Sequence, residues 1–113
     1  MSQQNKKITF RIVNQSILAA WAAKIRKEKT IAVVLGNSIH LHNCSEEYFL
    51  SNRRWLCHEL IHVKQYKKYG VLGFICRYFW EYLKHGYEMN KFELEAWALE
   101  DREEIIDEAE RIS

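Results

Sequence analysis

The chain contains no proline and only four glycines, so it has few obligatory breaks and no Pro/Gly/Ser-rich stretch that would mark a linker. One continuous domain is therefore expected over residues 1–113, long enough to bury a core without disulfide support. Cysteine is scarce as well. Cys44, Cys57 and Cys76 are odd in number and lack CxxC spacing, which argues against a disulfide framework and for reduced thiols in a cytoplasmic setting. No apolar run is long enough to cross a bilayer: the richest, Val71 to Leu83, is short and carries Arg77 and Glu81. Ile17 to Ala23 is not followed by a cleavable small-residue site before Lys24, so no signal peptide is expected. Neither charge sign dominates, the net charge being +2. The basic cluster Lys64, Lys67 and Lys68 reads as the solvated C-terminus of a helix, where cations are favoured, and no nucleic-acid contact is expected from it.

What the chain does have is apolar and aromatic content, 48% and 13%, with four tryptophans, the composition of a packed core. Ile8, Phe10 and Ile12 alternate with Thr9 and Arg11, a strand pattern, and Asn14 offers a cap for a following helix. That helix is expected to run to about Lys27 and to bury the stripe Ile17, Leu18, Trp21 and Ile25. Ile31 to Leu35, the turn-like pair Gly36 and Asn37, and the alternating Ile39 and Leu41 predict a β-hairpin. Leu56, Leu60 and Val63 form one apolar row of a helix that Gly70 can end. Phe74, Tyr78, Phe79 and Tyr82 belong to an aromatic helix that stops at Gly86, and their stripe is expected in the core. A last helix is expected from about Lys91 to Arg111, ending in an acidic tail over about 100–113. The fold class is α+β: a small mixed sheet with a β-hairpin, packed on these helices.

The segment Trp55 to Gln65 contains His58-Glu59-Leu60-Ile61-His62, an HExxH pattern on a predicted helix. Residues four apart lie about one turn apart on one helix face, so both imidazoles can reach a single Zn²⁺. Glu59 is rotated aside, where a carboxylate can take a proton from water at the metal instead of ligating it. With this composition the pattern is expected by accident only about 0.02 times. A catalytic zinc needs a third protein ligand and an open position. Glu93, on a helical segment separated from the HExxH helix by one intervening helix, is the candidate; Glu95 is close in sequence but points to another side of that segment.

Taken together, the Gly-Asn hairpin, the HExxH helix, the aromatic helix and Glu93 with Ala96 in an E-x-x-A setting resemble the gluzincin metallopeptidases, and in size the minigluzincins, over roughly residues 31–100. The resemblance implies one zinc per chain held by His58, His62 and Glu93, Glu59 as general base, and a peptide or protein substrate lying along the edge of the hairpin around Val33 to Leu41. Several gluzincins carry an acidic residue four positions after the ligand glutamate; here that position is Trp97. Tyr87, Tyr78 and His85 are candidates for stabilising the oxyanion. Two rival readings accompany the peptidase. One is a latent zinc protein whose cleft is blocked by the acidic tail, and the other is a non-enzymatic peptide-binding or accessory module. Cys57 reads as a buried thiol, and His40 and His42 as strand residues facing solvent.

Overall fold

The computed structural model describes residues 8–112. The alternation of Ile8, Phe10 and Ile12 is realised as strand β1 (Ile8–Val13), whose apolar residues face inward and whose Thr9 and Arg11 are exposed. The hairpin follows as β2 (Ile31–Leu35) and β3 (Ser38–His42), antiparallel and in register from Ile31 opposite His42 to Leu35 opposite Ser38. Gly36 supplies the positive φ of 65° that the tight turn between them requires. β3 pairs in parallel with β1, and a short β4 (Ala109–Arg111) pairs in parallel with the other side of β1. The sheet order is β2-β3-β1-β4, a four-stranded mixed sheet, and with six helices among the described residues the architecture is α+β.

Helix α1 (Ile17–Arg26) connects β1 to the hairpin and departs from expectation in two ways. Its N-cap is Ser16, whose Oγ accepts from the Ala19 amide at 3.2 Å, whereas Asn14 lies further upstream and donates to Glu46. Its large apolar stripe is not buried: Ile17, Leu18, Trp21 and Ile25 are exposed, and Ala19 and Ala23 face the sheet. The physical reason is distance. A helix seated closely on β2 leaves room only for small side chains at the contact, where Ala19 and Ala23 pack with Ile31.

A short helix α2 (Glu46–Ser51), capped by Ser45, precedes α3 (Arg53–Tyr69). Asn52 separates the two and caps α3 through a bond from the Trp55 amide to its Oδ1. Leu56, Leu60 and Val63 are buried as their spacing predicts. Beyond that row, every residue from Leu56 to Val63 is buried, because α3 is wrapped on several sides, by β1 and β2 and by the later helices. Gly70 ends α3 and Gly86 ends α4 (Val71–His85). Within α4 only part of the aromatic stripe is core: Phe74 is buried and Tyr78 packs beside it, while Phe79 and Tyr82 are exposed.

The expected long terminal helix is broken. Helix α5 covers Lys91–Leu99, α6 only Glu104–Glu108, and the chain then extends into β4. After Leu99 the apolar spacing lapses in a run of charged residues, and Ile105 re-enters the core to anchor α6 on α3. The acidic segment is therefore part turn, part helix and part strand. Its last residue, Ser113, lies outside the described residues.

Candidate metal centre

Four-residue spacing on α3 sets the rings of His58 and His62 side by side, with centroids 5.0 Å apart. α5 faces them across the helix pair and presents Glu93 from its first turn. One carboxylate oxygen, Glu93 Oε1, lies 3.1 Å from His58 Nε2 and 3.2 Å from His62 Nε2. The three donor atoms lie within 4.8 Å of one another and all three residues are buried, a group that could hold a metal ion. α5 is fixed in place by Asn90, fully buried, whose Oδ1 accepts from the Phe92 amide and whose Nδ2 donates to the Tyr78 carbonyl.

Each donor is oriented by a further contact. Gln65 Oε1 accepts from His62 Nδ1 at 2.8 Å, and the Gln65 amide nitrogen donates to the Phe92 carbonyl and to Glu95. Glu100 Oε1 lies 3.0 Å from His58 Nδ1 and accepts its proton. Both bonds favour a proton on Nδ1, so that loss of the Nε2 proton shared with Glu93 leaves the Nε2 lone pair facing the centre, the tautomer a metal ligand requires. The second oxygen of Glu93 accepts from the Tyr78 hydroxyl at 2.6 Å. Gln65 is one turn from His62 on the same helix face, so its contact follows from i+3 spacing. Glu100 lies two turns beyond Glu93, and Trp97, one turn beyond Glu93, sets its ring 6.2 Å from that of His58.

The electrostatics follow the same contacts. Burial opposes ionisation of Glu93, but hydrogen bonds from His58, His62 and Tyr78 outweigh it and hold the carboxyl well below its ordinary range. Burial likewise opposes the charged form of His58, yet Glu93, Glu59 and Glu100 raise it to about 9. Burial opposes charge on His62 as well, but Glu93 and Glu59 raise it. Glu59, next to His58 and buried, is pushed up to about 7 by desolvation, partly offset by the two histidines.

These residues line a cleft of about 820 Å³ bordered by α1, β2, α4 and α5. Glu59 and Tyr87 both face it. Tyr87 stacks under the Arg26 guanidinium at 3.8 Å and meets Trp97 edge-on at 5.8 Å. Of the other oxyanion candidates, Tyr78 is engaged with Glu93, and His85 is exposed and outside the cleft lining. Glu95 serves Gln65 and stands outside the donor group. His40 bonds Ser16 Oγ at 2.7 Å, and neither it nor His42 joins a metal-ligating cluster among the described residues. Cys44, Cys57 and Cys76 are all free thiols. Of the acidic segment only Glu100 reaches the cleft; α6 and β4 pack on α3 and β1 instead of entering it. No helix among the described residues is long and apolar enough to cross a membrane.

No protein-family model, curated protein or solved structure gives a significant match to the chain.

Proposed function

We propose that the protein is a zinc-dependent metallopeptidase of the gluzincin kind, with His58, His62 and Glu93 as metal ligands and Glu59 as general base. The observation that carries this reading is the convergence of His58 Nε2, His62 Nε2 and Glu93 Oε1 on one point beside a buried carboxylate in an open cleft. The donor set fits zinc: two imidazoles, once they have given up their Nε2 protons, and one carboxylate make a three-ligand catalytic site, and the Nδ1 contacts to Glu100 and Gln65 favour the tautomer needed. Zinc bound there would polarise a carbonyl and make a coordinated water acidic enough to ionise near neutral pH.

The protein's own residues do the rest. Glu59, whose carboxyl is raised by burial in the metal-free protein, can hold a proton taken from water and return it to the departing amine nitrogen. Tyr87, on the cleft wall, is the candidate donor to the carbonyl oxygen as it gains charge. β2 is an edge strand, and Thr30 to Val34 line the cleft. An extended peptide can add to that edge through main-chain hydrogen bonds, with its scissile bond over α3.

The test compares wild type with His58→Ala, Glu93→Ala and Glu59→Gln for zinc content and for hydrolysis of a mixed peptide library. The expected result is one zinc per chain in wild type and Glu59→Gln, loss of zinc in the other two, and hydrolysis by wild type alone. Stoichiometric zinc without hydrolysis would leave a binding protein, and absence of zinc from wild type would remove the reading altogether.

A further inference from the structure

The two helices that flank the cleft turn their largest apolar side chains outward. On α1, Ile17, Trp21 and Ile25 are 77%, 65% and 71% exposed, and their four-residue spacing stacks them along one face. On α4, Leu72, Phe79, Trp80 and Leu83 are all exposed, while Phe74, Tyr78 and Glu81 occupy the inward side. Ile25 and Phe79 both line the cleft, so both stripes reach the same opening and give it an apolar rim. An extended peptide lying in the cleft would leave Trp21, Leu72 and Leu83 uncovered. A rim of this size on a folded domain marks a docking surface.

Charge selects the occupant. From α1 through the loop after it, Lys24, Arg26, Lys27 and Lys29 face a single carboxylate, Glu28. α4 adds Arg77 and Lys84, and its one carboxylate, Glu81, is buried against the Lys91 amide. Among the described residues, Lys24, Lys27, Lys29, Arg77 and Lys84 form no ion pair. Apart from Glu100, which reaches the cleft, the acidic stretch lies elsewhere, with α6 on α3 and β4 at the sheet edge opposite β2. The outer faces of α1 and α4 are thus apolar, tryptophan-bearing and bordered by cations, and most of the anionic segment lies away from them. Tryptophan favours the bilayer–water interface, and surface cations favour anionic headgroups. A second copy docked on the same rim would oppose like charges along both borders.

We propose that this rim seats the protein on an anionic lipid surface, with the outer faces of α1 and α4 in the headgroup region and the cleft mouth toward the bilayer. The inference rests on surface chemistry and is independent of the metal site. Joined to the proposed peptidase, it places the substrate backbone at the membrane interface.

The experiment is flotation of the full chain with vesicles of phosphatidylcholine alone, or of two parts phosphatidylcholine to one part phosphatidylglycerol, at low and high salt. The protein should float only with the anionic vesicles, less at high salt, and its tryptophan emission should shift to the blue on binding. Trp21→Ser with Ile25→Ser, Phe79→Ser with Leu83→Ser, and Lys24→Glu with Lys27→Glu should each weaken partitioning by about tenfold or more. Because all six side chains are exposed, thermal melts of these variants should match wild type, which separates loss of docking from loss of folding. His58→Ala should float like wild type, keeping this test distinct from the metal reading. Wild type that stays in the bottom fraction with both vesicle types would overturn the proposal, as would apolar-rim variants that float normally. A dimer in light scattering that the Trp21 and Phe79 variants dissociate would assign the rim to a second copy instead.

Discussion

Replacing Glu100 tests the part of the metal centre that the HExxH spacing does not contain. Its carboxylate lies 3.0 Å from His58 Nδ1 and its side chain is only 16% exposed. A charge-assisted hydrogen bond in such a place contributes about 1.5–3 kcal/mol. The bond fixes both the ring orientation of His58 and the lone pair on Nε2, so its loss leaves an imidazole that must be reoriented whenever metal binds. Loss of such partners weakens metal binding by about 10–100-fold. Glu100→Ala should fall at the upper end of that range, and Glu100→Gln, which keeps a neutral acceptor of the same reach, at about tenfold. Arg54 supplies the control. Its Nη1 is 3.0 Å from the other Glu100 oxygen, but its side chain is 67% exposed, so Arg54→Ala should change zinc affinity by less than about fivefold. Competition with a chromophoric chelator at neutral pH measures all three. A Glu100→Ala protein that binds zinc within about twofold of wild type would refute the assigned orientation of His58.

Metal uptake should release protons at neutral pH. In the metal-free protein His58 is raised to about 9 and His62 is raised as well, so their cationic forms must give up protons before ligating. Apparent zinc affinity should therefore climb with pH and level off above about 9, and an indicator dye that records no proton release at pH 7 would contradict this. Tyr78→Phe removes the donor to Glu93 Oε2 but keeps the ring among Phe74 and Phe92. It should weaken zinc binding by about tenfold with little change in melting temperature, and unchanged affinity would show that Tyr78 does not orient the ligand. Truncation after Arg102 should lower the melting temperature without raising the rate of hydrolysis, because it deletes the buried Ile105 and the pairing of β4 with β1. Loss of Ile105 alone is worth about 2–5 kcal/mol. A truncated protein as stable as wild type but several-fold more active would show instead that the acidic segment blocks the cleft.

The hairpin, the HExxH helix and the return of Glu93 were legible because each depends on local spacing. Period-two alternation marks β3, four-residue spacing joins His58 to His62, and the gap to Glu93 accommodates one intervening helix. The orientation of α1 was not legible. Helical periodicity identifies its apolar stripe correctly, but which face meets the sheet depends on how close the sheet lies, and close approach selects Ala19 and Ala23 over Trp21 and Ile25. The role of Glu100 was hidden for a related reason. It belongs to a charged run that reads as solvated surface, and only the packing of α5 against α3 brings it to His58. The breaks around Glu100 to Glu103 were also missed, since a strand of three residues carries too little pattern to compete with a helical reading.

The pairing of β4 with β1 joins segments from nearly opposite ends of the described sequence. The helix pairs that assemble the His58, His62 and Glu93 group are much nearer neighbours along the chain. Contacts between near neighbours cost less loop-closure entropy and form early, whereas the outer strand can add only once the intervening chain has collapsed. On loop-closure grounds the pairing of α3 with α5 is expected to form before the β4 seam. Slow amide exchange at Ile112, whose N–H donates to the Phe10 carbonyl at 2.9 Å, would make this one peripheral bond a reporter of completed folding.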